Sequence, residues 1–320
     1  MSYNIIINHF TNNFRTVDFK TNSFNTEKVK VFVKNNYFNT IEYETTLEMV
    51  SGCSYWFSTP LSHKNRVVEF RDYYTETLVG LFAIDGLANF AEYDVNDYVK
   101  KSFINSDKGG KWNILAVFNE IIGHKVYHND FVNVEKDDFV IDIGFNYGLF
   151  SMVSLKNNPK KIIAFEPNPK LVSNYQKFLN HEKIELHQKA VSNKEGIVTF
   201  KENNDPGMST LSNDLITHPG WGDVNTTYEV ELINFYQFLQ ENNINRIDYL
   251  KVDCEGSEYD IFDSIPNEYL TNQVKKIALE FHYKFEDEKV QKLYNKILDC
   301  GFETKVVHNG PSLGMIYAKK

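Results

Sequence analysis

The sequence predicts an α/β protein: a mostly parallel sheet finished by a C-terminal antiparallel hairpin, preceded by a small antiparallel β module. Three observations predict it. Between Asp137 and Asn168 an apolar run stops at a glycine turn, a helical segment follows, and a second apolar run ends on an acid. From Trp112 to the C-terminus, strand-like and helix-like segments alternate, the order that a parallel sheet with crossover helices needs. Before residue 90 the hydrophobic period is two, the signature of half-buried strands.

In the N-terminal module Val29, Val31 and Val33 alternate with Lys28, Lys30, Phe32 and Lys34. Segments 40–45, 54–58, 66–71 and 77–84 continue the pattern, with breakers at Asn35-Asn36, Ser51-Gly52, Thr59-Pro60 and Arg71-Asp72 between them. Five short strands at this spacing predict an antiparallel β-sandwich over residues 1–90. Its aromatics Tyr55, Trp56, Tyr73 and Tyr74 are candidates for glycan contact, for core packing, or for the contact of a homo-oligomer. Residues 91–111, with Asp107-Lys108-Gly109-Gly110-Lys111, read as a linker, and 112–320 as the second domain.

The second domain opens on a helical stripe within Trp112–Ile122 and continues into the first strand, Phe139–Ile143. Pro169–Leu179 is a helix, Ile184–Ala190 a strand, and Gly196–Lys201 and Tyr228–Leu232 two extended segments. Between those two, 203–226 is rich in Gly, Ser and Asn, and its Asn203–Asp214 part has the composition of a binding loop or lid. Phe235–Leu239 is a short helix, and Ile247–Val252 and Ile277–Phe281 are buried strands. Glu286–Cys300 is a helix stopped by Gly301, and Phe302–Val307 and Leu313–Ala318 form the closing hairpin.

Composition narrows the function. A net charge of -9 argues against binding nucleic acid, whose phosphates want a basic surface. No apolar run approaches the ~18–20 residues of a membrane span, and the N-terminus lacks a signal-peptide pattern. Cys53, Cys254 and Cys300 form no CxxC pair, which fits a reducing cytoplasm and offers no metal knuckle.

The glycine turn decides the ligand. A dinucleotide fold places a second glycine two residues after the first, so that a pyrophosphate can lie against the backbone. Here that position is Asn146, and the next glycine is Gly148. The turn therefore suits a ligand with a ribose and an amino acid end but no pyrophosphate, such as S-adenosylmethionine, and argues against a nicotinamide oxidoreductase. Asp142, at the end of the first strand, can face the ligand's positive charge, and the turn Gly144–Gly148 can offer backbone N–H groups to its carboxylate. Glu166, at the tip of the second strand, can accept both ribose hydroxyls.

The stretches DDFVIDIGFNYGLFS, IAFEPNP, IDYLKVDCEGSE and ALEFH, in that order, resemble the FkbM-type family of S-adenosylmethionine-dependent methyltransferases. The resemblance covers residues 112–320 and none of the N-terminal module. It implies a class I methyltransferase fold, Rossmann-like, with a seven-stranded sheet, and O-methylation of sugar hydroxyls in glycans or secondary metabolites. The family turn reads D-x-G-A-N-x-G, so Phe145 and Tyr147 make this turn bulkier. That bulk supports an alternative reading, a glycan-binding or assembly protein on a degenerate scaffold.

Methyl transfer to a hydroxyl wants a base and a dry, ordered pocket. Asp253, Glu255 and His282 each follow a strand at its C-terminal end, the edge where open α/β sheets bind ligands. Asp253 and Glu255 are the expected polar floor near the transferred methyl, and His282, with an ordinary pKa of about 6.5, the expected base. Glu258 is either a surface or capping residue of the next helix or a third carboxylate of a cation site with Asp253 and Glu255. That spacing is not diagnostic, and no metal is expected. Ala190, ending the third strand, is expected to meet the adenine through its main chain.

Overall fold

The computed structural model describes residues 4–10, 16–23, 28–35, 41–48, 54–58, 66–74, 78–83, 117, 120–121, 125–178, 180–203 and 224–320. Its contacts divide the chain into two compact units, 1–126 and 127–320. The helical stripe expected within 112–122 and the loop expected at 203–214 lie almost wholly outside the described residues.

Among the described residues the first unit contains seven strands rather than five. β1 (Asn4–Phe10), β2 (Thr16–Ser23) and β5 (Ser54–Ser58) form one antiparallel sheet in the order β1-β2-β5. β3 (Lys28–Asn35), β4 (Ile41–Glu48), β6 (Arg66–Asp72) and β7 (Leu78–Ala83) form a second, in the order β4-β3-β6-β7. The two additional strands precede the first regular alternation: β1 reads NIIINHF, a solid isoleucine block between polar residues, which has no period of two. In β3 the alternation expected from Val29 and Val31 is real, since both are fully buried while Lys28 and Lys30 are not.

The second unit is built on a seven-stranded sheet of order β10-β9-β8-β14-β15-β17-β16. β8 (Phe139–Ile143), β9 (Lys161–Phe165), β10 (Ile184–His187), β14 (Ile247–Val252) and β15 (Val274–Phe281) run parallel. β17 (Leu313–Lys319) is antiparallel to β15 and to β16 (Glu303–Gly310). This is the sheet of a class I methyltransferase. The parallel strands are near-continuous apolar runs because helices cover both faces. The helices are α1 (Leu149–Ser154), α2 (Pro169–Phe178), α3 (Phe235–Glu241), α4 (Glu258–Ser264), α5 (Asn267–Gln273) and α6 (Glu288–Asp299).

One face of the sheet carries the main core. Ile141, Ile143, Ile163, Leu250, Val252, Ile277 and Leu279 pack there with Ile261 and Phe262 of α4 and Val290, Leu293 and Ile297 of α6. Each such side chain contributes roughly 1.5–3 kcal/mol by leaving water. Register and the period of two put the intervening residues on the other face. Lys251 pairs with Asp142 of β8 and with Ala278 of β15. Asp142, Lys251 and Glu280 therefore share that face with the buried Val140, Tyr249 and Ala278.

The segment expected as a single strand at 184–190 is two. β10 ends at His187, and β11 (Ala190–Ser192) leaves the main sheet to pair with β13 (Val224–Asn234), which pairs with β12 (Gly196–Asn203) in a three-stranded sheet. The polar pair Gln188-Lys189 is the point of departure, with Lys189 N–H closing a tight turn on the His187 carbonyl at 2.9 Å.

Candidate active site

The turn after β8 is fixed by contacts that only glycine permits. Gly144 has φ +83, and a Cβ on it would stand 1.6 Å from the Asp253 carbonyl oxygen. Backbone N–H groups of Gly144 and Phe145 both bond the Phe165 carbonyl, at 3.1 and 2.9 Å, tying the turn to the end of β9. Asp253 N–H bonds the Ile143 carbonyl at 3.0 Å, tying it to the end of β14. The turn thus sits where three strand ends meet.

The ring of Phe145 is folded beneath this turn. It is buried, packs edge-on against Tyr175 of α2 at 4.9 Å between centroids, and lies under Gly148, where a Cβ would come within 2.2 Å of it. Tyr147 is buried as well. Asn146 stands at φ 52, its N–H donates to Glu166 Oε2 at 2.7 Å, and its Oδ1 is buried without a hydrogen-bond partner among the described residues.

Glu166 follows β9 and is nearly fully buried. Its other oxygen accepts from Asn168 N–H at 2.8 Å. Each oxygen therefore holds one donor and keeps a lone pair. Burial pushes this carboxyl up to about 7, against the pull of the two N–H donors. Asn168 is held in turn by Glu202 of β12, at 2.9 Å.

Asp142 is fully buried, and its pKa is raised by burial, with Lys251 opposing. Ser151 Oγ of α1 donates to its Oδ2 at 2.7 Å, and Lys251 Nζ lies 3.3 Å from its Oδ1. Asp142 thus meets an internal lysine. Ala190 is buried at the start of β11, one tight turn beyond the main-sheet edge.

At the ends of β14 and β15 the expected residues come together. One ligand atom each from Asp253, Glu255 and His282 lies within 4.8 Å of the others, a spacing that a divalent cation could bridge. Both imidazole nitrogens already have carboxylate partners: Nε2 lies 3.0 Å from Glu255 Oε2, and Nδ1 lies 2.9 Å from Glu258 Oε1. Glu280 Oε2 is a further 3.8 Å neighbour of Nε2. Burial works against charge on His282, but Glu255 and Glu258 outweigh it and hold the imidazole protonated well above its ordinary range. Burial pushes Glu255 up to about 7, with His282 pulling it down. For Asp253, burial is outweighed by Lys251, His282 and the Tyr127 hydroxyl, and its pKa falls.

Glu258, open in the sequence between surface and cluster, is fully buried at the first turn of α4 and accepts from Gly256 N–H at 2.8 Å. Glu255 and Gly256 take positive φ, 54 and 104, which turns the loop so that Glu255 and Glu258 flank one imidazole. Sequence reasoning passed over Lys251, Glu280 and Tyr127. A lysine inside a buried strand is rare enough to flag Lys251, and the glutamate in ALEFH offers the same signal. Nothing around Tyr127 flags it.

The residues at the turn fit the donor the sequence suggested: an orphaned acceptor on Asn146, a carboxylate with spare lone pairs at the tip of β9, and a glycine contact that leaves no side chain in the way. Fold and site define a class I, S-adenosylmethionine-dependent methyltransferase. The chain belongs to the FkbM methyltransferase family, whose domain it matches over residues 142–304. It is 28% identical over 184 residues to Methyltransferase 1 of Beauveria bassiana, a match covering 52% of this chain and 73% of that protein. It is also 28% identical over 181 residues to Methyltransferase sdnD of Sordaria araneosa, covering 48% of this chain and 69% of that one. Among solved structures, Aeropyrum pernix fibrillarin in complex with S-adenosyl-L-methionine aligns at 12% identity and a TM-score of 0.34, over 61% of this chain and 71% of that chain. Among the described residues no helix is long and apolar enough to cross a membrane.

Proposed function

We propose that the chain methylates a hydroxyl oxygen of a sugar or related small molecule. The observation that carries this reading is Glu255: a half-buried carboxylate at the sheet edge, pushed up to about 7 and held 3.0 Å from a protonated imidazole. A hydroxyl is a poor nucleophile unless its proton is taken as the new bond forms, and a base poised near neutrality does this best.

Bound S-adenosylmethionine supplies a methyl group on a positively charged sulfur. The turn Gly144–Gly148, Asn146 and Glu166 would hold its amino acid and ribose parts. Glu255 would accept the proton of the acceptor hydroxyl as that oxygen takes the methyl group. His282, fixed by Glu258, stabilises the carboxylate of Glu255 before it takes that proton. The base expected at His282 is thereby moved one residue outward, since an imidazole already protonated cannot accept a proton. The sugar component of the proposal rests on the family resemblance, and the cytoplasm remains its proposed compartment.

The test is transfer from isotope-labelled S-adenosylmethionine to a panel of methyl glycosides and matched amines. Label on a glycoside oxygen is the expected result. Label only on amines would overturn O-methylation. The reading as a degenerate binding scaffold predicts instead that no methyl donor is turned over.

A further inference from the structure

Tyr127, the first residue of the second unit, lies 15 residues ahead of the segment that matches the family domain. Its side chain is laid along one face of β14. The period of two places Tyr249, Lys251 and Asp253 in a row on that face, and Tyr127 touches each. Tyr249 Oη donates to the Tyr127 carbonyl at 2.5 Å. Lys251 Nζ lies 5.3 Å from the centroid of the Tyr127 ring, within cation–π range. Tyr127 Oη donates to Asp253 Oδ2 at 2.9 Å. The ring is buried and meets Phe150 of α1 edge-on at 5.6 Å.

Lys251 extends the row towards the glycine turn. It is buried, its Nζ bonds the Gly144 carbonyl, and it stands 3.7 Å from Asp253 Oδ2. One ammonium thus joins the turn to the acid at the reaction edge. We propose that Tyr127 and Lys251 form a clamp that orients Asp253 for the donor, with Tyr127 a positioning residue contributed from ahead of the segment 142–304 that matches the family. The proposal rests on reading Asp253 as a residue that faces the donor.

A single hydroxyl matters here because Asp253 is crowded. It is faced by Lys251 on its own strand, Asp142 on β8, Glu280 on β15, Glu255 in the following loop and His282 beyond β15. Asp142 and Glu255 oppose its charge, while a side-chain hydrogen bond with Glu280 favours it. The Tyr127 hydroxyl is a neutral donor whose direction is set by a fully packed ring, so it fixes which way the carboxylate points. Charge-assisted bonds of this kind are about twice as strong as neutral ones.

The test uses the full chain and S-adenosylhomocysteine as probe, in calorimetric titrations at neutral pH of wild type, Tyr127→Phe, Asp253→Asn and the double variant, with melting temperatures alongside. Tyr127→Phe is expected to weaken binding roughly tenfold at neutral pH. In the Asp253→Asn background the same change is expected to have no further effect. If Asp253→Asn weakens binding and Tyr127→Phe changes only the melting temperature, the clamp is overturned while the reading of Asp253 stands. If Asp253→Asn leaves affinity unchanged, the reading of Asp253 fails first and takes the clamp with it.

Discussion

Glu258 Oε1 lies 2.9 Å from His282 Nδ1, and the glutamate is fully buried. The pair fixes both the ring orientation of the imidazole and its charge, and it leaves Nε2 facing Glu255. Glu258→Gln keeps the shape but removes the charge. We expect it to cost about 1–3 kcal/mol of unfolding free energy, the usual penalty for a weakened buried hydrogen bond to a charged group. The pH dependence has a definite sign. His282 has a folded pKa raised above its ordinary 6.5, so its contribution is complete below 6.5 and is lost as pH rises through the folded value. The deficit of Glu258→Gln in denaturant titrations should therefore be largest near pH 6 and shrink towards pH 9. A deficit that grows with pH would contradict the charged pair.

Glu166 makes cofactor binding pH-dependent. Its carboxyl, pushed up to about 7 by burial, is half protonated near neutrality, while two ribose hydroxyls would donate to its ionised form. Affinity for S-adenosylhomocysteine should be level above pH 7 and fall by up to tenfold per pH unit below it, as a proton must be expelled first. Glu166→Gln should bind more weakly and flatten that slope. Calorimetry in buffers of different ionisation enthalpy would read the proton directly.

How much of this was legible depended on whether a residue's role was local. Ile247–Val252 declared itself as a short, mainly apolar run of strand length, and its observed bounds are those expected. Gly144 and Glu166 were legible because turn geometry and strand tips have fixed spacings. The break between β10 and β11 was not, because Gln188 and Lys189 interrupt the pattern no more than an edge strand would. Glu258 was undecided because a helix's first turn welcomes an acid whether it faces solvent or core. Tyr127 was invisible, since its partner is 126 residues away. Partners at that separation are brought together by the sheet, and no window along the chain contains both.

Gly144 and Gly301 separate two kinds of glycine. Both have φ near +80, at 83 and 82. Around Gly301 nothing lies within 4 Å of an added Cβ, whereas at Gly144 the Asp253 carbonyl oxygen would be 1.6 Å away. Gly301→Ala should therefore cost only the left-handed backbone penalty, roughly 1–2 kcal/mol. Gly144→Ala must also push the ends of β8 and β14 apart, and should cost roughly 4 kcal/mol or more and abolish S-adenosylhomocysteine binding. Equal losses in urea titrations of the two variants would show that the close approach carries no weight.

The acid at 255 sets the pH dependence of turnover. If Glu255 takes the hydroxyl proton, only its ionised form is active, and its pKa of about 7 places the transition at neutral pH. With a working acceptor and saturating donor, kcat/KM for the acceptor should rise with pH, gaining up to tenfold per unit below 7, and level off above it. His282 sharpens the expectation, because its own proton stays in place across this range and adds no second limb. Glu255→Gln should lower the rate by roughly 10²–10⁴-fold and erase the limb, while S-adenosylhomocysteine affinity changes little. His282→Gln should behave differently. Glu255 would lose its cationic neighbour at 3.0 Å, and the limb should move to higher pH instead of vanishing. A limb that disappears with His282→Gln but survives in Glu255→Gln would return the role of base to the histidine.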